Sequence, residues 1–128
     1  KIRESLFNKT LNNGFKFPTI ISPIAYVSKH ASIGQGTIVM HGSIINAGAK
    51  IGKNCIINSK SLVEHDAIIG DHCHLATGST VNGGVIIKNN TFIGSGSIIR
   101  QNIKIGKNCF VNANLFVRKN LKDNSKVR

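Results

Sequence analysis

The chain predicts an all-β fold: a parallel β-helix of hexapeptide repeats with about six triangular coils, preceded by a short helix. Two columns of inward residues and one column of turn residues predict it. The first column begins at Ile21 and steps by six through Val27, Ile33 and Val39 to Val117, and all seventeen positions are Ile, Val or Leu. Those three types make up 34 of the 128 residues, so chance at this composition does not fill the column. The second column lies four residues later in each hexad, from Ala25 to Leu121, and is mostly small residues such as Ala49, Ser61 and Cys73. The third is Gly36, Asn54, His72, Asn90 and Asn108, spaced by eighteen. Gly and Asn tolerate the left-handed backbone that a tight corner requires.

A six-residue period does not track the 3.6 of a helix. Its turns also come too often for a hairpin meander. It fits short strands wound into a solenoid, with three hexads per coil. All of the first column except Leu75 is β-branched, as a strand favours. No insertion interrupts the hexads from Ile21 to Leu121, so no long loop is expected. Coils spaced by about 4.8 Å make six coils a column nearly 30 Å tall, with residues eighteen apart stacked on one another.

Taken in order, residues 1–14 read as a helix with Ile2, Leu6, Phe7 and Leu11 as one apolar stripe and Gly14 as its cap. Residues 1–20 form the helix and lead-in, the remnant of a link to a missing N-terminal domain. Residues 21–122 form the β-helix, and 123–128 a basic tail, with the chain from Arg118 onward expected to fray. Outward positions on two faces are apolar: Ile38, Ile56, Phe92 and Phe110 on one, Ile44, Leu62, Ile98 and Phe116 on the other. A terminal helix covers at most one such stripe, so the pattern predicts an oligomer, most simply a homotrimer of prisms.

Seventeen Lys plus Arg against five Asp plus Glu give a formal charge of +12. Charged residues are 17% and hydrophobic residues 41%, which excludes a disordered polyelectrolyte. The basic residues are scattered without interleaved aromatics, which argues against nucleic acid. No apolar run reaches the roughly 20 residues of a membrane span. Three cysteines and no signal peptide point to a cytoplasmic protein. Cys55, Cys73 and Cys109 all fall in the small inward column and read as core residues. No metal is expected.

One stretch is more specific than the repeat. Ile56-Ile57-Asn58-Ser59-Lys60-Ser61-Leu62-Val63-Glu64-His65-Asp66, followed by Ile69-Gly70-Asp71-His72-Cys73-His74, resembles the bacterial sugar acetyltransferases among the left-handed β-helix acyltransferases. These are of the sialic acid O-acetyltransferase and UDP-4-amino-sugar N-acetyltransferase type. The lead-in from Ile20 to Ser28 is similar too. The resemblance implies left-handed coils, acetyl-CoA as co-substrate, and sites between subunits. It implies that His65 is the general base, tuned by Asp66, and that His74 lies near thioester and substrate. The Gly83 main chain would bond the thioester carbonyl, and main-chain groups at Ser95 and Ala113 would hold the pantetheine arm. Asn58 and Glu64 are candidates for the sugar. The family's N-terminal Rossmann-like domain and C-terminal Pro-Ala-Lys ending are not in this chain.

The coil map bears on these assignments from a different direction. His65 and Gly83 are eighteen apart and so stack about 5 Å from each other. Ser59, Thr77, Ser95 and Ala113 stack into a groove of small residues. His65 and His74 are half a coil apart, so a site using both needs a neighbouring subunit. The expected reaction is direct acetyl transfer to the amine of a nucleotide-activated sugar in surface-glycan synthesis, with a sugar hydroxyl as the alternative acceptor. Lys104, Lys107, Arg118 and Lys119 are candidates for the coenzyme phosphates. A zinc hydrase of the γ-carbonic anhydrase type needs a histidine five residues after another, and the fifth residue after His65 is Gly70. A purely structural prism would show ranks of Thr, which the chain lacks.

Overall fold

The computed structural model describes all residues, 1–128. It is a parallel β-solenoid of about six turns with one N-terminal helix, the left-handed β-helix of hexapeptide repeats. Each hexad contributes a two-residue strand, and the strands stack into three sheets of seven, six and five. We call the prism faces A, B and C, after the strands Ile20–Ile21, Tyr26–Val27 and Ser32–Ile33 that begin them. As far as Val117, pairing is eighteen residues out of step on every face: Ile38 with Ile56 on A, Ile44 with Leu62 on B, Lys50 with Ile68 on C. Long strands impose a right-handed twist and a right-handed crossover. Two-residue strands are too short to impose either, so the corners set the winding.

Those corners carry left-handed residues in three ranks. Gly48, Asp66, Gly84 and Asn102 form the rank between B and C, with φ of 74°, 59°, 66° and 59°. The predicted rank Gly36, Asn54, His72, Asn90 and Asn108 lies between C and A, all at positive φ. The first column fills the prism, with Ile45, Ile57, Val63, Leu75, Val81 and Ile93 sealed from solvent. Each such side chain contributes about 1.5–3 kcal/mol on burial. The second column explains why polar residues sit inside. Thr37 Oγ1 donates to the Gly52 carbonyl at 2.8 Å, Ser43 Oγ to Asn58 at 2.7 Å and Ser97 Oγ to Asn112 at 2.7 Å. The three cysteines are free, buried and bonded in the same sense, Cys55 Sγ to the Gly70 carbonyl at 3.1 Å. The adjacent Cys55 side chain, and then burial, push the Cys73 thiol far up, so it stays protonated.

Helix α1 spans Ile2–Asn12. Gly14 at φ 84° closes it: its N–H reaches the Leu11 carbonyl at 2.9 Å, and the Phe15 N–H reaches Thr10 at 3.3 Å. The expected stripe does not form a buried face. Phe7 is buried, but Ile2 and Leu6 remain 80% and 59% exposed. The helix lies against the C/A corner, a ridge rather than a plane, so one side chain reaches in. Phe7 stacks on Phe17 with centroids 4.6 Å apart and fills the space left by Gly36.

Two expectations at the other end are corrected. The register does break before Leu121: Leu121 bridges Ile105, sixteen residues away, and stands in the first column instead of the second. The B/C corner after Val117 is two residues shorter, and Asn120 Oδ1 accepts the Lys104 N–H at 2.9 Å to close it. Residues 123–128 are not a frayed tail either. Lys126–Val127 pairs with Phe110–Val111 and extends face A. Leu121 and Val127 keep the six-residue step in a shifted phase, which half-buries them against the last coil.

Candidate active site at the B/C corner

His65 lies in the corner turn Glu64–Ala67, closed by the Ala67 N–H on the Glu64 carbonyl at 3.3 Å. Its backbone is held on both sides. The His65 carbonyl accepts the Gly84 N–H at 3.0 Å, and the Asp66 N–H reaches the Ala47 carbonyl at 3.1 Å. His65 Nδ1 meets Asp66 Oδ2 at 3.0 Å. An ionised carboxylate only accepts, so Nδ1 carries the hydrogen and Nε2 keeps its lone pair. Nε2 faces the coil above, where a Cβ on Gly83 would sit 2.6 Å from it. A glycine is therefore required at 83 for the imidazole to occupy this position. The Gly83 carbonyl accepts the Asn102 N–H at 3.0 Å, while the Gly83 N–H has no partner in the chain.

The imidazole nitrogen thus lies beside a residue whose amide hydrogen is unused, with His65 exposed and Gly83 half-buried. That pair is what acyl transfer uses: a proton acceptor for the nucleophile and a donor for the oxyanion. Glu64 shares the corner, but its Oε2 accepts Asn46 Nδ2 at 2.9 Å. A cavity of about 370 Å³ lined by Asn82, Ile98, Arg100, Gln101 and Phe116 opens on the coil above Gly83. A larger one of about 760 Å³ lies under α1 on face A and is mainly apolar. It holds no proton acceptor of catalytic type, and the chemistry at the B/C corner outweighs its size.

The remaining sequence candidates lie elsewhere on the prism. Asn58, Ser95 and Ala113 are at the A/B corner. Asn58 Oδ1 caps the Ser59 N–H at 2.8 Å. The Ser95 N–H is free, as is that of Thr77 below it, whereas Asn112 Oδ1 takes the Ala113 N–H at 3.0 Å. Ala113 therefore offers its carbonyl and not its amide. His74 stands on face A, edge-on to Phe92 at 5.2 Å. Its Nε2 is buried without a hydrogen-bond partner. Burial, and then the charge of Arg3, hold its imidazole below the ordinary histidine range. Within one chain His74 does not join His65. Arg118 and Lys119 share the B/C corner with His65, and Lys104 and Lys107 do not. Sequence reasoning missed Gly48, whose contact with Asp66 follows from the fold alone. His41 is also partnered, its Nδ1 lying 2.6 Å from Ser22 Oγ.

Comparison with known proteins matches the chain over almost its whole length. The acetyltransferase domain of PglB from Neisseria gonorrhoeae FA1090, in complex with acetyl coenzyme A, superposes with a TM-score of 0.95 at 30% identity. The match covers 98% of this chain and 61% of that one. A histidine-to-asparagine variant of perosamine N-acetyltransferase from Caulobacter crescentus, in complex with CoA and GDP-perosamine, gives 0.93 at 34% identity, covering 98% and 60%. WeeI from Acinetobacter baumannii AYE gives 0.94 at 28%, covering 98% and 61%. The chain thus spans about three fifths of the length of each. No curated protein sequence matches it significantly. No helix is long and apolar enough to cross a membrane. The profile of the bacterial transferase hexapeptide family (six repeats) matches residues 30–64, 48–83 and 84–119, and the chain belongs to that family.

Proposed function

We propose that the chain is the catalytic part of a cytoplasmic acetyl-CoA-dependent sugar N-acetyltransferase that works in surface-glycan synthesis. The observation that carries this is the pairing of His65 Nε2 with the bare main chain of Gly83. His65 Nε2 takes the proton as a sugar amine attacks the acetyl thioester. The Gly83 N–H bonds the oxyanion. The imidazolium then returns its proton to the departing sulfur, and Asp66 steadies the charge on the ring. No acyl-enzyme is required. Solved relatives bound to acetyl coenzyme A and to GDP-perosamine favour an amine over a hydroxyl as acceptor.

Free amides at Thr77 and Ser95 suit an extended pantetheine. Arg118 and Lys119 stand three coils beyond His65, about 14 Å at the usual strand spacing, within reach of the diphosphate. These two groups lie on different corners, so the coenzyme groove forms between two copies of the chain. The exposed Ile44, Ile98 and Phe116 and the unpartnered Nε2 of His74 support a homotrimer in which His74 of one copy completes the site of the next. Glu64 and Asn58 remain the candidates for the sugar.

The experiment offers acetyl-CoA with amino and hydroxyl sugars and identifies products by mass spectrometry. N-acetylation is expected, and O-acetylation alone would reassign the acceptor. Unfolding and refolding a mixture of His65→Ala and His74→Ala chains is expected to restore a share of the activity that each lacks. No recovery would place the two histidines in separate roles.

A further inference from the structure

We propose that Gly48 is a positioning residue: it leaves the room in which the Asp66 carboxylate sits to set the tautomer of His65. The proposal rests on the acetyltransferase reading above. Gly48 lies one coil below Asp66 in the same corner rank, and both residues have positive φ, 74° and 59°. The Asp66 side chain folds down so that a Cβ on Gly48 would fall on Oδ1. Its other oxygen, Oδ2, meets His65 Nδ1 at 3.0 Å. One oxygen thus occupies the space left by the missing side chain of Gly48, while the other meets the ring.

That space matters because the pair is exposed. The His65 and Asp66 side chains are 66% and 73% accessible. Attraction between groups so open to water is weak and screened, and does not by itself fix a rotamer. The backbone angle does not account for the contact. Gly42 has a similar φ of 67°, and a Cβ there would meet only Lys60 Cγ at 3.5 Å, an ordinary distance. Gly84 receives Asn102 Oδ1 and Gly96 receives Asn114 Oδ1 just as Gly48 receives Asp66, so the fold repeats the device at two corners. Only at Gly48 does the side chain so held touch a histidine.

With Asp66 in place, Nδ1 keeps its hydrogen and Nε2 faces Gly83 as the acceptor. With a methyl group at 48, the carboxylate swings away and the imidazole samples the other tautomer and other rotamers.

The test compares Gly48→Ala with Gly42→Ala, which carries the same backbone conformation without displacing a carboxylate. Long-range ¹⁵N correlation spectra of the free protein read the His65 tautomer, and steady-state kinetics read transfer. Gly48→Ala is expected to lose the Nδ1–H signature and to lower kcat about 10- to 100-fold, the range for groups that orient a functional histidine. KM for acetyl-CoA should stay nearly constant. Gly42→Ala should leave both readouts unchanged, and Gly48→Ala should cost nothing further in an Asp66→Asn background. Retention of the Nδ1–H signature in Gly48→Ala, or additive losses in the double variant, would overturn the proposal.

Should Gly48→Ala not fold, Asp66→Gly in the same chain removes the clash. Recovery of the fold with the activity of Asp66→Gly alone would support the proposal, and failure to recover would assign Gly48 to the backbone only. If the unaltered protein transfers no acetyl group, the reaction assigned above is wrong, and the tautomer signature still decides Gly48.

Discussion

His65 and His72 stand seven residues apart on neighbouring corners and are used in opposite ways. His65 precedes the left-handed position of its corner, and its side chain is 66% exposed. His72 occupies the left-handed position itself, at φ 60°, and its side chain is only 13% exposed. His65 leans toward the coil above, onto Gly83, and is held by its own neighbour Asp66. His72 folds onto the coil below, with Nδ1 at 2.8 Å from Asn54 Nδ2. Its other face meets the edge of Phe7 at 5.7 Å and the Glu4 carboxylate at 3.9 Å, so it holds α1 against the prism. The position within the corner decides the outcome. Left-handed residues reach down the column, as Asp66, Asn102 and Asn114 also do. The residue before them, like His65, is left exposed at the corner.

The sharpest way to break this contrast is to remove each ring. His65→Ala should lower turnover by about 10²- to 10⁴-fold with no change in the thermal unfolding midpoint beyond a degree or two. His72→Asn keeps a residue suited to the left-handed backbone, as Asn54 and Asn90 are. It should leave turnover intact and cost about 1–2 kcal/mol of stability through the lost aromatic and hydrogen-bonded contacts of α1. Equal losses of turnover in both variants would show that corner position does not separate the two roles.

Gly83→Ala sharpens the same contrast from the opposite coil. The new methyl group would fall 2.6 Å from His65 Nε2 and force the ring aside. Both the base and the path to the free N–H are then disturbed, so kcat should fall by about 10²-fold. The unfolding midpoint should move little, because the displaced ring is exposed. Unchanged kcat in this variant would separate the Gly83 amide from the reaction.

Much of this was legible because a six-residue period fixes both depth and height. Hexad phase alone placed Leu75 inside, Phe92 outside and His65 beneath Gly83. The late contraction was not legible, since Leu121 suits either inward column and only its pairing with Ile105 selects one. The role of α1 was misjudged for a related reason. Helical periodicity shows which residues share a stripe, but it cannot show that the partner surface is a ridge that admits only Phe7. Gly48 was invisible because its function depends on the direction taken by Asp66, which no pattern of residue types encodes.

His74 extends the comparison to a histidine on a face, and its effect is the smallest. It is partly buried between Ile56 and Phe92, and Nε2 has no partner. Burial first, and the Arg3 charge second, lower its folded-state pKa from the ordinary 6.5. The unfolded chain therefore binds the proton more tightly, and stability must rise with pH between the lowered value and 6.5. Above that window the group contributes nothing to the pH dependence. Within it, each fall in pH favours the unfolded chain, until the folded form is protonated as well. His74→Gln should flatten the rise of the unfolding midpoint with pH below 6.5. A slope that persists in His74→Gln would assign it to another group and remove the face histidine from the contrast.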